Sequence, residues 1–238
     1  MGTYARLDRS RSARVGVPEI VLGEGKSVAH LLGILRALHA ERVGAIVSRP
    51  TAGQLRALER ARADGLPVEV LAAGRVARLA GPLGVAYAPG TVALVTAGTS
   101  DVALADEARA VLEALGLRVE VAHDVGVAGL HRLLRAVRRL ERSRPEIYLV
   151  FAGREGALPT VLAGLVHAPV IGVPTSTGYG RGGRGEAALN AMLQSCAPIA
   201  VVNIDAAVPA ALFAAQRFAR RPARAARSPR ADRRAPEP

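Results

Sequence analysis

From Thr91 onward the chain repeats one pattern five times: a short apolar run, a break, then a helix-length segment. The runs are "TVALVTAG", "RVEVAHD", "EIYLVFAG", "PVIGVPT" and "IAVVNID". The segments that follow them begin "SDVALADEARA", "AGLHRLLRAVR", "GALPTVLAG", "GEAALNAML" and "AAVPAALFAA". Strands that are apolar at nearly every position are buried on both faces, which implies a parallel sheet with helices on each side. Right-handed crossovers then wind the chain into a flavodoxin-like doubly wound parallel sheet, an α/β three-layer sandwich.

The first part of the chain is less regular. "EIVLG" reads as a short strand behind a polar, basic front from Arg6. "SVAHLLGILRALHAE" reads as a helix capped by Ser27, with Leu31, Leu32, Leu35 and Leu38 at helical spacing. "VGAIVS" and "PVEVL" read as strands, "TAGQLRALERARADG" as a helix, and "GRVARLAG" as a short helix. These expectations divide the chain into a small N-terminal α/β domain over 1–88, a catalytic domain over 89–218, and a disordered tail over 219–238. The tail is Arg, Ala and Pro without periodicity.

Charge bears on partners. The formal net charge is +12, which invites a nucleic-acid reading. The tail, however, carries seven arginines against Asp232 and Glu237, so +5 of that surplus sits outside the repeated units. Every basic residue except Lys26 is arginine, and aromatics make up 3% of the chain, leaving little to stack on bases. Nucleic acid is therefore not the expected partner. No apolar h-region follows the basic N-terminus, and the run "IAVVNIDAAVPAALFAA" is broken by Asn203, Asp205 and Pro209. With one cysteine, no disulfide can close within the chain. The expected setting is the cytoplasm, with no membrane partner.

In a doubly wound sheet the ligand lies beyond the C-terminal ends of the strands. Here those ends read "TAGTSD", "AHDVGVAGLHR", "AGREGALP" and "PTSTGYGRGGRG". The amides of Gly98, Thr99 and Ser100 would meet an anion at a helix start. The Gly-rich loop from Pro174 to Gly185 suits a flap over a phosphorylated ligand. Ser100 and Asp101 equally suit a helix cap, and His131 equally suits a structural place on its helix. His30, His39 and His167 belong to no constellation. Cys196, in "LQSCAPIAVV", reads by itself as either a small apolar residue or a reactive thiol. Spacing alone supports a phosphate-ligand site and no more.

The motifs go further than spacing. "TAGTSD" and "AGREGALPTVLAGLVHAPVIGVP" resemble the phosphoribosylaminoimidazole carboxylase family, whose second segment carries a histidine. This chain has Glu155 in that neighbourhood, followed by Gly156 and Ala157. A fuller resemblance runs through "LDRSRSARVGVPEIVLGEGKS", "TAGTSD", "HDVGVAGLHRL", "EGALPTVLAGLV", "VPTSTGYG" and "AMLQSCAPIAVVNID". In that order these motifs are similar to the LarB family, the pyridinium-3,5-biscarboxylic acid mononucleotide synthases of nickel-pincer cofactor biosynthesis. The resemblance implies carboxylation of nicotinic acid adenine dinucleotide by CO2 or bicarbonate, with cleavage of its phosphoanhydride and release of AMP. It also implies a covalent role for the cysteine of "SCA", Cys196, and a homo-oligomer, an octamer in carboxylases of this fold.

The chemistry fits a thiolate. A pyridinium C5 is electron-poor and attacks CO2 only after a nucleophile has added at C4. Such a nucleophile must also leave, and a thiolate does both. Candidates for the base that removes the C5 proton are Glu155 first, then Asp101 and His131. Expected substrate contacts are Gly98, Thr99, Ser100, Gly153, Gly156, Ala157, Pro174, Thr175, Ser176, Gly178 and Tyr179. Arg14 and Lys26, with Arg11, are candidates for the substrate's anionic groups. No tightly bound cofactor and no metal ligands are expected. Magnesium would arrive with the substrate phosphates. Departures from the LarB pattern are "RGGRGE" after "GYG", Arg154 beside Glu155, and a plain helix after "NID". The rival readings are a carboxyaminoimidazole ribonucleotide mutase, and a non-catalytic nucleotide-binding regulator.

Overall fold

Alternate residues of each central strand enter different cores. In β5 (Thr91–Thr96) Val92 and Leu94 join one apolar cluster, whereas Ala93 and Val95 join the other. In β7 (Ile147–Ala152) Leu149 and Phe151 face the first, and Tyr148 and Val150 the second. A strand's side chains alternate across the sheet, so burial of every residue requires a layer on both sides. The computed structural model, which describes Asp8 and residues 11–220, supplies those layers.

In chain order the N-terminal region contains α1 (Arg11–Val15), β1 (Ile20–Leu22), α2 (Val28–Ala40), β2 (Ala45–Ser48), α3 (Ala52–Ala63), β3 (Val68–Leu71) and β4 (Val76–Leu79). The second region adds α4 (Val102–Ala114) after β5, then β6 (Arg118–Ala122) and α5 (Leu130–Leu140). After β7 come α6 (Leu158–Ala163), β8 (Val170–Pro174), α7 (Glu186–Leu193), β9 (Ile199–Val201) and α8 (Ala207–Gln216). Its five strands run in the order β6-β5-β7-β8-β9, all parallel. This is the flavodoxin-like order, with the switch point between β5 and β7. Helices α4 and α8 cover one face, and α5, α6 and α7 the other.

The N-terminal sheet is mixed, in the order β1-β2-β4-β3. Its β4 corrects the expected helix at "GRVARLAG". Arg75 and Arg78 are spaced like one helical turn, but Val76–Leu79 pairs antiparallel with β2 on one side and β3 on the other. A place between two strands outweighs local spacing, and Val76, Ala77 and Leu79 are fully buried there. The basic front also forms a helix, α1, which its polar composition did not suggest. Elsewhere the local signals hold. The Ser27 hydroxyl accepts from the His30 amide at 3.1 Å and starts α2. Thr51 and Gln54 close a capping box on α3.

Two features join the regions. Ile46 and Val76 of the first sheet pack into the same cluster as α4 and α8 of the second. The linker at Ala86–Ala88 pairs with the chain after α8: Ala88 donates to the Phe218 carbonyl, Arg220 donates to Ala86, and Tyr87 bridges Ala219. Ala219 and Arg220 therefore belong to the folded unit. The rest of the arginine-rich segment, 221–238, lies outside the described residues.

Candidate active site

The C-terminal ends of β5, β6, β7 and β8 open into one cavity of about 510 Å³. The turn after β5 contributes Ala97, Gly98, Ser100 and Asp101. The β6 loop contributes Gly126, Val127, Ala128 and Arg132; the β7 loop Gly153, Arg154 and Glu155; the β8 loop Thr177, Gly178 and Tyr179. Two glycines let these loops meet. A Cβ on Gly153 would lie 2.3 Å from the Thr177 carbonyl, and one on Gly126 would lie 2.7 Å from that of Ala97. Any side chain at either position would force the loops apart.

Asp101 is the buried acid of this cavity, 2% exposed. Its Oδ1 accepts from the Thr175 hydroxyl at 2.7 Å and its Oδ2 from the Gly98 amide at 2.9 Å. Burial pushes its carboxyl above the usual aspartate range, and the nearby Asp205 pushes the same way; the two hydrogen bonds pull it back. The Gly98 amide is thus spent on Asp101 and is not the anion donor that its place before a helix suggested. Glu155, the first candidate base, is exposed at the rim, whereas Asp101 is the desolvated carboxyl.

Cations flank the acid. The Arg132 Nη1 donates to the Asp124 carbonyl and to Asp124 Oδ2, both at 2.7 Å, which holds its guanidinium at the mouth. Arg154 donates to the Tyr179 hydroxyl at 3.0 Å and lies 4.9 Å from that ring's centre. The ionisable side chains lining the cavity are Asp101, Arg132, Arg154, Glu155 and Tyr179, and none is histidine.

Several candidates lie elsewhere. His131 is exposed on α5 and does not line the cavity; Arg132, the next residue, does. The sequence reading missed Arg132 because the buried stripe Leu133, Val137 and Leu140 marks the helix face without saying which first-turn residue meets the mouth. Thr99 is exposed beside the cavity, Pro174 closes β8, and Thr175 is buried beneath. Gly156 and Ala157 turn into α6. Ser176 faces a neighbouring cleft instead, with Arg49, Arg75 and Asp205. Arg14 is paired with Asp8 and lines a separate recess with Gly84 and Gln216. Lys26 lies before α2, where its carbonyl accepts from the Gln54 side chain.

Cys196 is exposed and precedes β9. In a parallel sheet this is the opposite edge from the cavity. Five-residue β8 separates the edges by about 16 Å at strand rise. Ser195, beside Cys196, is used by its own loop. Its Oγ accepts from Thr160 at 2.8 Å and from the Ala197 amide at 3.1 Å. The loop is fixed with its thiol outward.

The family profile for AIR carboxylase matches residues 91–235, the part of the chain that builds this cavity. The chain belongs to the AIR carboxylase family. A second profile, the LarB/PurE-like N-terminal domain, matches residues 1–78. An uncharacterised protein of Methanocaldococcus jannaschii is 38% identical over 88% of this chain and 82% of its own length. The N5-carboxyaminoimidazole ribonucleotide mutase of the same organism is 30% identical over 52% of this chain and 75% of its own. A probable mutase of that name from Methanothermobacter thermautotrophicus is 31% identical over 52% of this chain and 37% of its own. The chain thus spans under half of that relative. Among solved structures, Treponema denticola PurE is similar at 24% identity, with a TM-score of 0.42, over 52% of this chain and 78% of its own. Named relatives of the family are carboxylase or mutase enzymes, and this chain has the family's catalytic domain. Among the described residues, no helix is long and apolar enough to cross a membrane, and no cluster of three His, Cys, Asp or Glu is grouped for a metal.

Proposed function

We propose that the chain carboxylates the pyridinium ring of nicotinic acid adenine dinucleotide at C5 and splits the phosphoanhydride, giving pyridinium-3,5-biscarboxylic acid mononucleotide and AMP. The observation that carries this reading is the pairing of a buried Asp101 and two arginines at one edge of the sheet with an outward thiol, Cys196, at the other. The LarB/PurE-like domain ahead of the carboxylase domain supports it.

The Cys196 thiolate adds to C4 of the ring, forming a C–S bond and a 1,4-dihydropyridine. The enamine-like C5 attacks CO2 and forms a C–C bond. Asp101, whose carboxyl burial pushes above the usual aspartate range, takes the C5 proton. The C–S bond then breaks, and its electrons return to sulfur as the ring regains aromaticity. Arg132 and Arg154 neutralise the substrate's anionic groups, and water cleaves the phosphoanhydride. Magnesium, where required, comes with the phosphates. Glu155 at the rim is the second base candidate.

One copy cannot bring Cys196 to its own cavity without unfolding β9. The thiol therefore serves the cavity of a second copy, which makes the active species a homo-oligomer. The deciding experiment is incubation with nicotinic acid adenine dinucleotide and bicarbonate, followed by mass spectrometry for the dicarboxylated mononucleotide and AMP. Absence of both from folded protein rejects the reading. The mutase reading has the named relatives in its favour, but the cavity lacks the histidine that its resemblance calls for.

A further inference from the structure

A buried carboxylate ties the two regions together. Glu107, on α4, is fully buried. Its Oε1 accepts from the Ser48 hydroxyl at 3.2 Å and from Arg49 Nε at 3.4 Å. Its Oε2 accepts from Arg75 Nε at 3.1 Å and Nη2 at 2.9 Å. Two N-terminal arginines thus hold one acid of the catalytic domain. An unpaired carboxylate at such a site would be costly, so the pairing explains itself as structure.

Arg49 does something that Arg75 does not. Its Nη2 donates to the backbone carbonyl of Asp205, in the loop between β9 and α8. Asp205 has a left-handed backbone, with φ of 56°, a conformation that aspartate tolerates better than most residues. From there it grips the chain leaving β8 on both sides. Its amide donates to the Pro174 carbonyl at 2.8 Å, and its Oδ1 accepts from the Ser176 amide at 2.8 Å. Between those two grips lies Thr175, whose hydroxyl donates to Asp101. The bonds run without a gap from the end of β2 to the buried acid.

We propose that Arg49 and Asp205 are positioning residues: Arg49, from the N-terminal domain, fixes Asp205, and Asp205 clamps Pro174–Ser176 so that Thr175 holds the Asp101 carboxyl toward the cavity. The N-terminal domain then acts on the site without touching the ligand. Small misplacements of a reacting group cost rate far more than they cost binding.

The test compares Arg49→Ala with Arg75→Ala. Each removes one guanidinium from Glu107, but only the first releases Asp205. Hydrogen exchange at the Ser176 amide is the first readout, and it requires no activity. Arg49→Ala is expected to speed it about 10-fold more than Arg75→Ala does. Should both variants unfold, Asp205→Gly keeps the backbone conformation and removes the grip on Ser176, whereas Asp205→Asn keeps an acceptor there. The glycine variant is expected to speed exchange and the asparagine variant to restore it. The second readout rests on the proposed carboxylation: kcat falls roughly 10- to 100-fold in Arg49→Ala and Asp205→Gly, with KM within about threefold. Equal exchange at Ser176 in the two arginine variants, or unchanged exchange and kcat in Asp205→Gly, overturns the proposal. Wild-type protein without turnover rejects the carboxylation and leaves the exchange result to decide the positioning.

Discussion

The two edges of the catalytic sheet are built in opposite ways. At the C-terminal edge Asp101 is buried and bonded twice, and each loop is held by glycine contacts or by the Glu107 and Asp205 network. At the N-terminal edge Cys196 is exposed on a loop pinned by Ser195, with Leu193 before it 63% exposed. The first edge is finished within one chain. The second presents a thiol and an apolar side chain to the surface. The contrast teaches that one sheet can keep a buried acid and an exposed thiol an entire strand apart.

The strongest test of that contrast is mixing. Cys196→Ser and Asp101→Asn are each expected to lose more than about 10³-fold in kcat. Oligomers reassembled from equal amounts of the two inactive variants should recover up to about a quarter of wild-type activity, because heterologous contacts combine one intact edge from each copy. No recovery on reassembly, measured as product by mass spectrometry, would falsify the shared site.

A second prediction separates stability from chemistry. Phe151→Ala, near the C-terminal end of β7, should cost about 3–5 kcal/mol in denaturant unfolding, since it empties a fully buried aromatic site. Ser195→Ala should cost only about 1 kcal/mol while loosening the Cys196 loop.

A third concerns pH. Asp101 has its pKa raised on folding, so the folded state holds that proton more tightly than the unfolded chain does. Its contribution to stability is present below the unfolded value of 3.8 and is lost as pH rises through the raised one. Asp101→Asn should therefore melt at or above the wild-type temperature near neutral pH, and lose that advantage in acid. A lower melting temperature at neutral pH would contradict the burial argument. The smallest effect is expected at the rim: Arg132→Ala should raise KM about 10-fold and leave the fold unchanged, as judged by circular dichroism.

Most of the catalytic sheet was legible in the sequence because its central strands β5, β7 and β8 are apolar on both faces, the pattern of a covered parallel sheet. The glycine-rich strand ends located the cavity for the same local reason. What failed was local too. Arg75 and Arg78 imitated a helix turn, and only pairing with β2 and β3 decided that Val76–Leu79 is a strand. Likewise, nothing near Glu155 in sequence revealed that it would be exposed while Asp101 became the buried acid.

Sequence by itself determined the five βα units, the caps on α2 and α3, and the presence of one thiol next to the last strand. Tertiary structure decided which carboxyl is desolvated, because Asp101 is buried against the chain leaving β8, where Thr175, distant in sequence, donates to it. It also decided that Arg49 reaches Asp205, 156 positions away, and that Cys196 faces outward. Propensity and periodicity act over a few residues, whereas desolvation and hydrogen bonding act over ångströms, and only the folded chain converts the one distance into the other.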